Sequence, residues 1–239
     1  YLDVTRSQLF FARRIIFVEG VTEAMLIRAF WDYYFADSDK KFDRKGVEIV
    51  NIDGVSFEPY IDLVKNIYSK TSVRVAVITD DDRGTNCDES MRFTNSDGEV
   101  KNSTDIESIF DSAPKSARYI NLENLVTTLL QNGSKINIFG ARKTFEVEIG
   151  MQSGQDISLM EKFANIVFAA DAKTNPKKMG IELWKKVRSD KTKFSESILN
   201  WLSSDEKEGN FIVPKYISDA FDFLNTNDEE SNNTTISSN

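Results

Sequence analysis

The chain has 239 residues, of which 40% are hydrophobic and 28% are charged, and its formal net charge is −8. This composition can bury a sizeable core and excludes an intrinsically disordered protein, and no apolar run approaches the ~18–20 residues that a membrane-spanning helix needs. The single cysteine, Cys87, excludes an internal disulfide framework and is typical of a reducing, cytoplasmic compartment. The absence of histidine excludes Ser-His-Asp triads, Cys-His dyads and histidine zinc sites.

Apolar runs and amphipathic segments alternate over the first 80 residues. The runs 13–18, 47–52 and 73–79 predict three short buried strands. Between them, residues 22–35 and 57–68 carry apolar side chains at helical spacing. This strand–helix alternation predicts a parallel sheet of the α/β class.

The rest of the chain is more helical. Residues 83–105 are polar and predict a long loop, and 135–139 predicts a fourth strand. Segment 144–149 fits either a short strand or the start of a helix. The predicted helices of this part are 116–131, 157–170, 179–187, 194–202 and 215–224. We expect the polar tail 225–239 to be disordered.

Acidic residues follow two of the predicted strands. Glu19 ends the first strand, Glu23 lies one helical turn further on, and Asp80-Asp81-Asp82 follows the third strand. Functional residues of parallel sheets gather beyond the carboxyl ends of the strands, where alternating side chains would let Asp80 and Asp82 bracket one point. Asp81 is then structural. Carboxylates that converge without basic partners are tolerable around a divalent cation, and oxygen ligands select Mg²⁺ or Mn²⁺.

An isolated acidic triplet is more often the solvated start of a loop than a metal site. The coincidence of acidic clusters at two strand ends favours the metal site here. Since no histidine is present, a cation that lowers the pKa of a water molecule is the best source of a nucleophile. Such a site suits phosphoryl transfer.

Six segments resemble one known family. FFARRIIFVEGVTEAMLI, NIDGVSFEPYIDL and VAVITDDD resemble the Toprim domain of OLD-family (overcoming lysogenization defect) nucleases. Further along, RKTFEVEI resembles the family's threonine-hydrophobic-Glu segment, DKTKFSESILNWL its Lys-Gly-x-Phe-Ala helix, and FIVPKYISDAFDFL its Pro-x-Tyr-Ile helix. Thr192 and Ser195 depart from the family's Gly and Ala, and segment 83–118 does not align.

The resemblance implies a Toprim-type parallel sheet of about four strands flanked by helices, with a helical C-terminal extension. Residues 1–150 would be the catalytic core, 151–224 a helical extension that completes the site, and 225–239 the disordered tail. The implied metal ligands are Glu19, Glu23, Asp80, Asp82 and Glu146, around two Mg²⁺ or Mn²⁺ ions. Glu19 could alternatively act as general base. Lys191 would supply positive charge to the transition state, or would be one more solvated lysine at a helix start.

The function implied is a metal-dependent DNA endonuclease or nickase module of an OLD-family nuclease, Gabija-like and active in phage defence. The family couples this module to an ATPase domain in cis or trans, and a homo-oligomer and a defence-system partner protein are further expectations. Because the chain begins at Tyr1, we interpret it as a fragment that lacks the ATPase domain. The basic residues between Lys173 and Arg188 would track a DNA backbone or form a solvated face.

Two alternatives stay open. DDDRGT at 80–85 superficially matches the Asp-x-Asp start of haloacid-dehalogenase-type phosphatases, with Asp80 as nucleophile, although that motif should close the first strand of its fold rather than the third. A catalytically inactive Toprim-like interaction module is the second alternative. Metal binding discriminates the inactive module from the nuclease.

Overall fold

The computed structural model describes residues 12–36, 38–67, 73–83, 93–94, 100–101 and 113–226. The strands are β1 Arg14–Val18, β2 Val47–Asn51, β3 Arg74–Asp80, β4 Phe93–Thr94, β5 Val100–Lys101 and β6 Ile136–Ala141. The helices are α1 Val21–Tyr34, α2 Phe42–Lys45, α3 Glu58–Ile67, α4 Ala117–Gln131, α5 Phe145–Met151, α6 Ile157–Ala164, α7 Ala170–Lys173, α8 Pro176–Val187, α9 Lys191–Ser203 and α10 Lys215–Asn225. A 3₁₀ turn covers Ser38–Lys40.

The main sheet has four parallel strands in the order β2-β1-β3-β6. This confirms the predicted parallel α/β sheet. The short β4 and β5 form a separate antiparallel pair. Since β1 and β3 are direct neighbours, with Phe17 opposite Val77, the segments that follow these two strands begin side by side.

Helices cover both faces of the sheet, as the continuous apolar runs of β1 and β3 require. Ile15 and Phe17 point to one face, where they pack with α3 and α4. Ile16 and Val18 point to the other face, where α1, α5, α6 and α8–α10 build the larger core. The helices after residue 151 therefore pack on the same face of the sheet as α1.

Two segments were not fully specified by the sequence pattern. The segment 144–149, which fits either a strand or a helix start, belongs to helix α5. The charged segment 37–46 contains the 3₁₀ turn and α2. Two contacts fasten this segment to the core: Phe42 is buried, and the indole Nε1 of Trp31 donates to the Lys40 carbonyl at 2.8 Å. Gly46 ends α2 in the left-handed conformation at φ 60°.

Several predictions fall outside the part of the chain that the structure describes. These are most of the loop 83–105, including Cys87, and residues 227–239 of the tail. The division of the chain at residue 150 stays a prediction. None of the described helices is both long and apolar enough to cross a membrane.

Candidate functional site

The carboxylate of Glu19 binds the end of the neighbouring strand. Its Oε1 accepts hydrogen bonds from the backbone N–H of Asp80 at 3.2 Å and from the hydroxyl of Thr79. It also accepts one from Nη1 of Arg118 at 3.1 Å. The parallel pairing of β1 and β3 places these groups together, as the sequence indicated for Glu19 and Asp80.

The three aspartates that follow β3 have three different environments. Asp80 is half-buried, and none of the described residues donates a hydrogen bond to its carboxylate. Asp81 is buried, accepts a hydrogen bond from the backbone of Ser116 at 2.9 Å and pairs with Arg83 at 2.5 Å, which agrees with its predicted structural role. Asp82 has a left-handed backbone (φ 56°), so strand alternation does not extend to it.

A second acidic group comes from the segment after β6. The backbone N–H of Asp81 donates to the Ala141 carbonyl at 2.8 Å, so the two segments run side by side. Glu146 follows in the first turn of α5 and is 4% exposed. Its Oε1 lies 3.0 Å from Nζ of Lys191, the first residue of α9, whereas its buried Oε2 has no hydrogen-bond partner among the described residues.

Glu23 completes the acidic edge from the first turn of α1. Its Oε2 lies only 2.6 Å from the position that a Cβ on residue 20 would occupy. Any larger residue at position 20 would therefore push the carboxylate away. Gly20 has extended backbone, so this glycine provides space for the carboxylate and no special backbone conformation.

The carboxylates at this edge repel one another. Burial raises the pKa of Asp80 well above its ordinary value, and the negative charges of Glu146, Glu19 and Asp82 raise this pKa further. Burial and then the charges of Glu146 and Glu19 raise the pKa of Glu23. A cation would relieve this repulsion, so the carboxylate-only donor set and the unpartnered Oε2 of Glu146 fit a hard divalent metal.

The cationic side chains of the site correct one assumption of the sequence argument. We expected the carboxylates to have no basic partners, which is wrong: Lys191 pairs with Glu146, and Arg118 pairs with Glu19. Burial acts to lower the pKa of Lys191, but the charges of Glu146, Asp80 and nearby Glu23 outweigh it and this pKa is raised. The Lys191 ammonium therefore stays protonated at neutral pH.

All six predicted site residues lie at this one edge of the sheet, and their roles stay predictions. In the described part of the chain no three Asp, Glu or Cys side chains already form a ligand set for one ion. Three of the carboxylates are instead paired with cations: Glu19 and Asp82 lie near Arg118, and Glu146 pairs with Lys191. Ligation of an ion by all five would therefore require side-chain movements.

Sequence reasoning missed Arg118 and Thr79. Arg118 lies in the first turn of α4, after the N-cap Ser116. A cation is unfavourable there because the first turn carries the positive end of the helix dipole. That unusual position is the one signal in the sequence that could have indicated a role for Arg118.

Comparisons with known proteins find one family model and one curated relative to which this chain is similar. Residues 10–82 match the family model described as "Overcoming lysogenization defect protein-like, TOPRIM domain". The chain is 27% identical over 237 residues to Endonuclease GajA of Bacillus cereus (strain HuB5-5), an alignment that covers 91% of this chain. It covers 32% of that relative, so the chain spans about a third of its length.

The fold has counterparts among solved structures. The C-terminal region of the Burkholderia pseudomallei OLD protein matches with a TM-score of 0.50 and 20% identity, over 90% of this chain and 97% of that one. The C-terminal region of the Xanthomonas campestris pv. campestris OLD protein matches with a TM-score of 0.46 and 16% identity, over 91% and 94% of the two chains. The Burkholderia match agrees with the Toprim-type sheet and its helical extension.

Proposed function

We propose that this chain, whose residues 10–82 match the OLD-like Toprim family model, is the nuclease module of a DNA endonuclease or nickase that depends on Mg²⁺ or Mn²⁺. One observation carries the proposal: mutually repelling carboxylates from β1, β3 and α5 face one another beside a lysine. The name of the relative, an endonuclease, supports the same activity. No observation favours the phosphatase alternative.

Each residue of the site has a proposed role. The residues that would hold two ions are Glu19, Glu23, Asp80, Asp82 and Glu146. A bound divalent cation supplies neutralisation of phosphate charge and a lowered pKa for water. Lys191 offers its ammonium to the charge that develops on the phosphate or on the leaving oxygen. Glu19 could alternatively accept a proton as general base.

A basic surface next to α9 is the proposed contact with the DNA backbone. Lys185, Lys186 and Lys193 are exposed, line a concavity of about 460 Å³ and form no ion pair with any described residue. Two other lysines of the predicted basic concentration are neutralised, since Lys173 pairs with Glu161 at 2.7 Å and Lys178 pairs with Asp171 at 2.5 Å. The three free lysines therefore carry the proposed phosphate contacts.

The cellular role is proposed from the resemblance to the OLD family. We propose that an ATPase domain in cis or trans controls the module, and that the protein acts in phage defence in the cytoplasm. A homo-oligomer or a defence-system partner would then assemble with it. The support is this resemblance together with the 27% identity to Endonuclease GajA, of which the chain covers about a third.

Supercoiled plasmid tests this function. We expect the chain to nick plasmid with Mg²⁺ or Mn²⁺ and EDTA to abolish nicking. Glu19→Gln should lower the rate by about 100-fold or more, because a neutral amide binds a hard divalent cation much more weakly than a carboxylate does. Glu196→Gln, an exposed glutamate of α9, is the matched control and should nick like the wild type.

Two results would change the assignment. Nicking by Glu19→Gln at the wild-type rate would overturn the metal site. A wild type that folds but neither binds Mn²⁺ nor nicks would favour the inactive interaction module. Turnover of an aryl phosphate with a trapped aspartyl adduct at Asp80 would favour the phosphatase.

A further inference from the structure

Arg118 connects the ends of both central strands. Its Nη1 donates to Oε1 of Glu19 and to the hydroxyl of Thr79, both at 3.1 Å. Its Nη2 donates to the backbone carbonyl of Asp80 and lies 3.7 Å from Oδ2 of Asp82. One guanidinium group thus contacts the acidic groups that follow β1 and β3.

These contacts leave the two oxygens of Glu19 in different states. Oε1 accepts three hydrogen bonds, from Arg118, Thr79 and the Asp80 backbone. Oε2 accepts none from the residues that the structure describes. The carboxylate therefore has one anchored oxygen and one oxygen available to a ligand.

We propose that Arg118, assisted by Thr79, is a positioning residue that orients Glu19 for metal binding. This inference rests on the proposed metal-dependent function. Carboxylates that ligate metals are themselves held by hydrogen bonds, and loss of such a partner typically weakens metal affinity or activity 10- to 100-fold. Arg118 acts here as that partner, and Oε2 is the ligand atom that it leaves free.

The choice of arginine follows from the geometry. The planar guanidinium directs several N–H groups along fixed directions, which lets one side chain bond Glu19, Thr79 and the Asp80 carbonyl together. A lysine has a single nitrogen on a flexible stem, so it lacks the fixed, planar arrangement of donors that spans these acceptors. The position in the first turn of α4 opposes the helix dipole, so the residue serves the acidic edge rather than its own helix.

The test measures Mn²⁺ binding to the 239-residue chain by electron paramagnetic resonance and calorimetry, so that it does not depend on activity. Arg118→Met should weaken Mn²⁺ binding 10- to 100-fold. Thr79→Val removes only the hydroxyl donor, and Arg118→Lys keeps the positive charge without the planar guanidinium. Both variants should weaken Mn²⁺ binding less than Arg118→Met does. Arg28→Met is the matched control, since Arg28 is exposed and pairs with Asp43 on the surface.

Nicking assays add a second readout. Raising the Mn²⁺ concentration should restore much of the rate of Arg118→Met, and its KM for DNA should stay near the wild-type value. Circular dichroism reports whether each variant folds. If Arg118→Met fails to fold, Arg118→Lys and Thr79→Val decide the question.

Three outcomes overturn the inference while the proposed function stands. Mn²⁺ binding that tightens in Arg118→Met would make Arg118 a competitor of the ion. Unchanged Mn²⁺ binding with a raised KM would make it a DNA contact, and unchanged binding in all three variants would make it a structural residue. A wild type whose Mn²⁺ binding is absent, or is unaffected by Glu19→Gln, overturns the proposed function and the inference with it.

Discussion

At the scale of single residues, Asp80 is a carboxylate that the fold places among other negative charges. Its carboxylate is half-buried, faces other carboxylates and receives no hydrogen bond from a described residue. The folded chain therefore holds a proton on Asp80 at pH values where the unfolded chain has released it. In that range the folded state binds more protons, so the free energy of unfolding decreases as the pH rises.

This sign predicts that Asp80→Asn stabilises the metal-free protein. In EDTA at pH 7 we expect a gain on the order of 1 kcal/mol, because the amide keeps the shape without the repelled charge. The gain should shrink as the pH falls through the ordinary aspartate pKa of about 4, because the unfolded chain then binds the same proton as the folded chain. Thermal unfolding with EDTA at several pH values measures it.

Added Mn²⁺ provides the control for this prediction. The ion should stabilise the wild type, because it binds only the folded state, and should stabilise Asp80→Asn much less. A variant that is less stable than the wild type at pH 7 in EDTA would show that the Asp80 charge is not repelled in the folded chain.

At the scale of elements, the crossing of α5 and α8 positions Glu146. A Cβ on Gly180 would lie 2.6 Å from the carbonyl oxygen of Val147, and a Cβ on Gly150 would lie 2.5 Å from Cα of Gly180. The two helices therefore touch backbone to backbone. Glu146 lies in the first turn of α5, so the spacing of the helices sets the position of its carboxylate.

We predict that Gly180→Ala destabilises the protein by about 1–3 kcal/mol, since overpacking outweighs the better helix propensity of alanine. Chemical denaturation measures this change. Lys185→Ala, on the exposed face of the same helix, should stay within about 0.5 kcal/mol of the wild type. If Gly180→Ala were as stable as the wild type, the close approach of the two backbones would not constrain α5.

At the scale of the whole molecule, charge is distributed unevenly. The net charge is −8, yet the exposed Lys185, Lys186 and Lys193 form a basic concavity beside the start of α9, which carries Lys191. An acidic protein that binds DNA needs such a local surface, because the rest of its field repels phosphate. Binding through these lysines would depend strongly on salt.

We predict that replacing Lys185, Lys186 and Lys193 together by glutamine weakens DNA binding and reduces the slope of log affinity against log salt by about 2–3, roughly 0.9 for each lost phosphate contact. The rate at saturating DNA should change little. Fluorescence anisotropy at several salt concentrations measures the slope. Lys65→Gln, an exposed lysine of α3, is the control, and an unchanged slope in the triple variant would place the DNA elsewhere.

The sequence by itself predicted that the strands form a parallel sheet, and it predicted one part of the acidic edge. Buried apolar runs at 13–18, 47–52 and 73–79, separated by amphipathic helices, admit few arrangements other than a parallel sheet. Since the carboxyl ends of parallel strands lie at one edge of the sheet, the sequence also predicted that Glu19 lies near Asp80. Both inferences depend only on local pattern and on general topology.

Only the tertiary structure decided which cationic side chains contact the acidic edge and how the backbone turns after β3. Arg118 reaches Glu19 across 99 positions of the chain, and Lys191 meets Glu146 through the packing of separate helices. The alternating side-chain directions of β3 do not continue to Asp82, because its backbone is left-handed. Such contacts follow from how loops and helices pack after the sheet forms, and no periodicity along the chain records which side chains that packing will bring within hydrogen-bond distance.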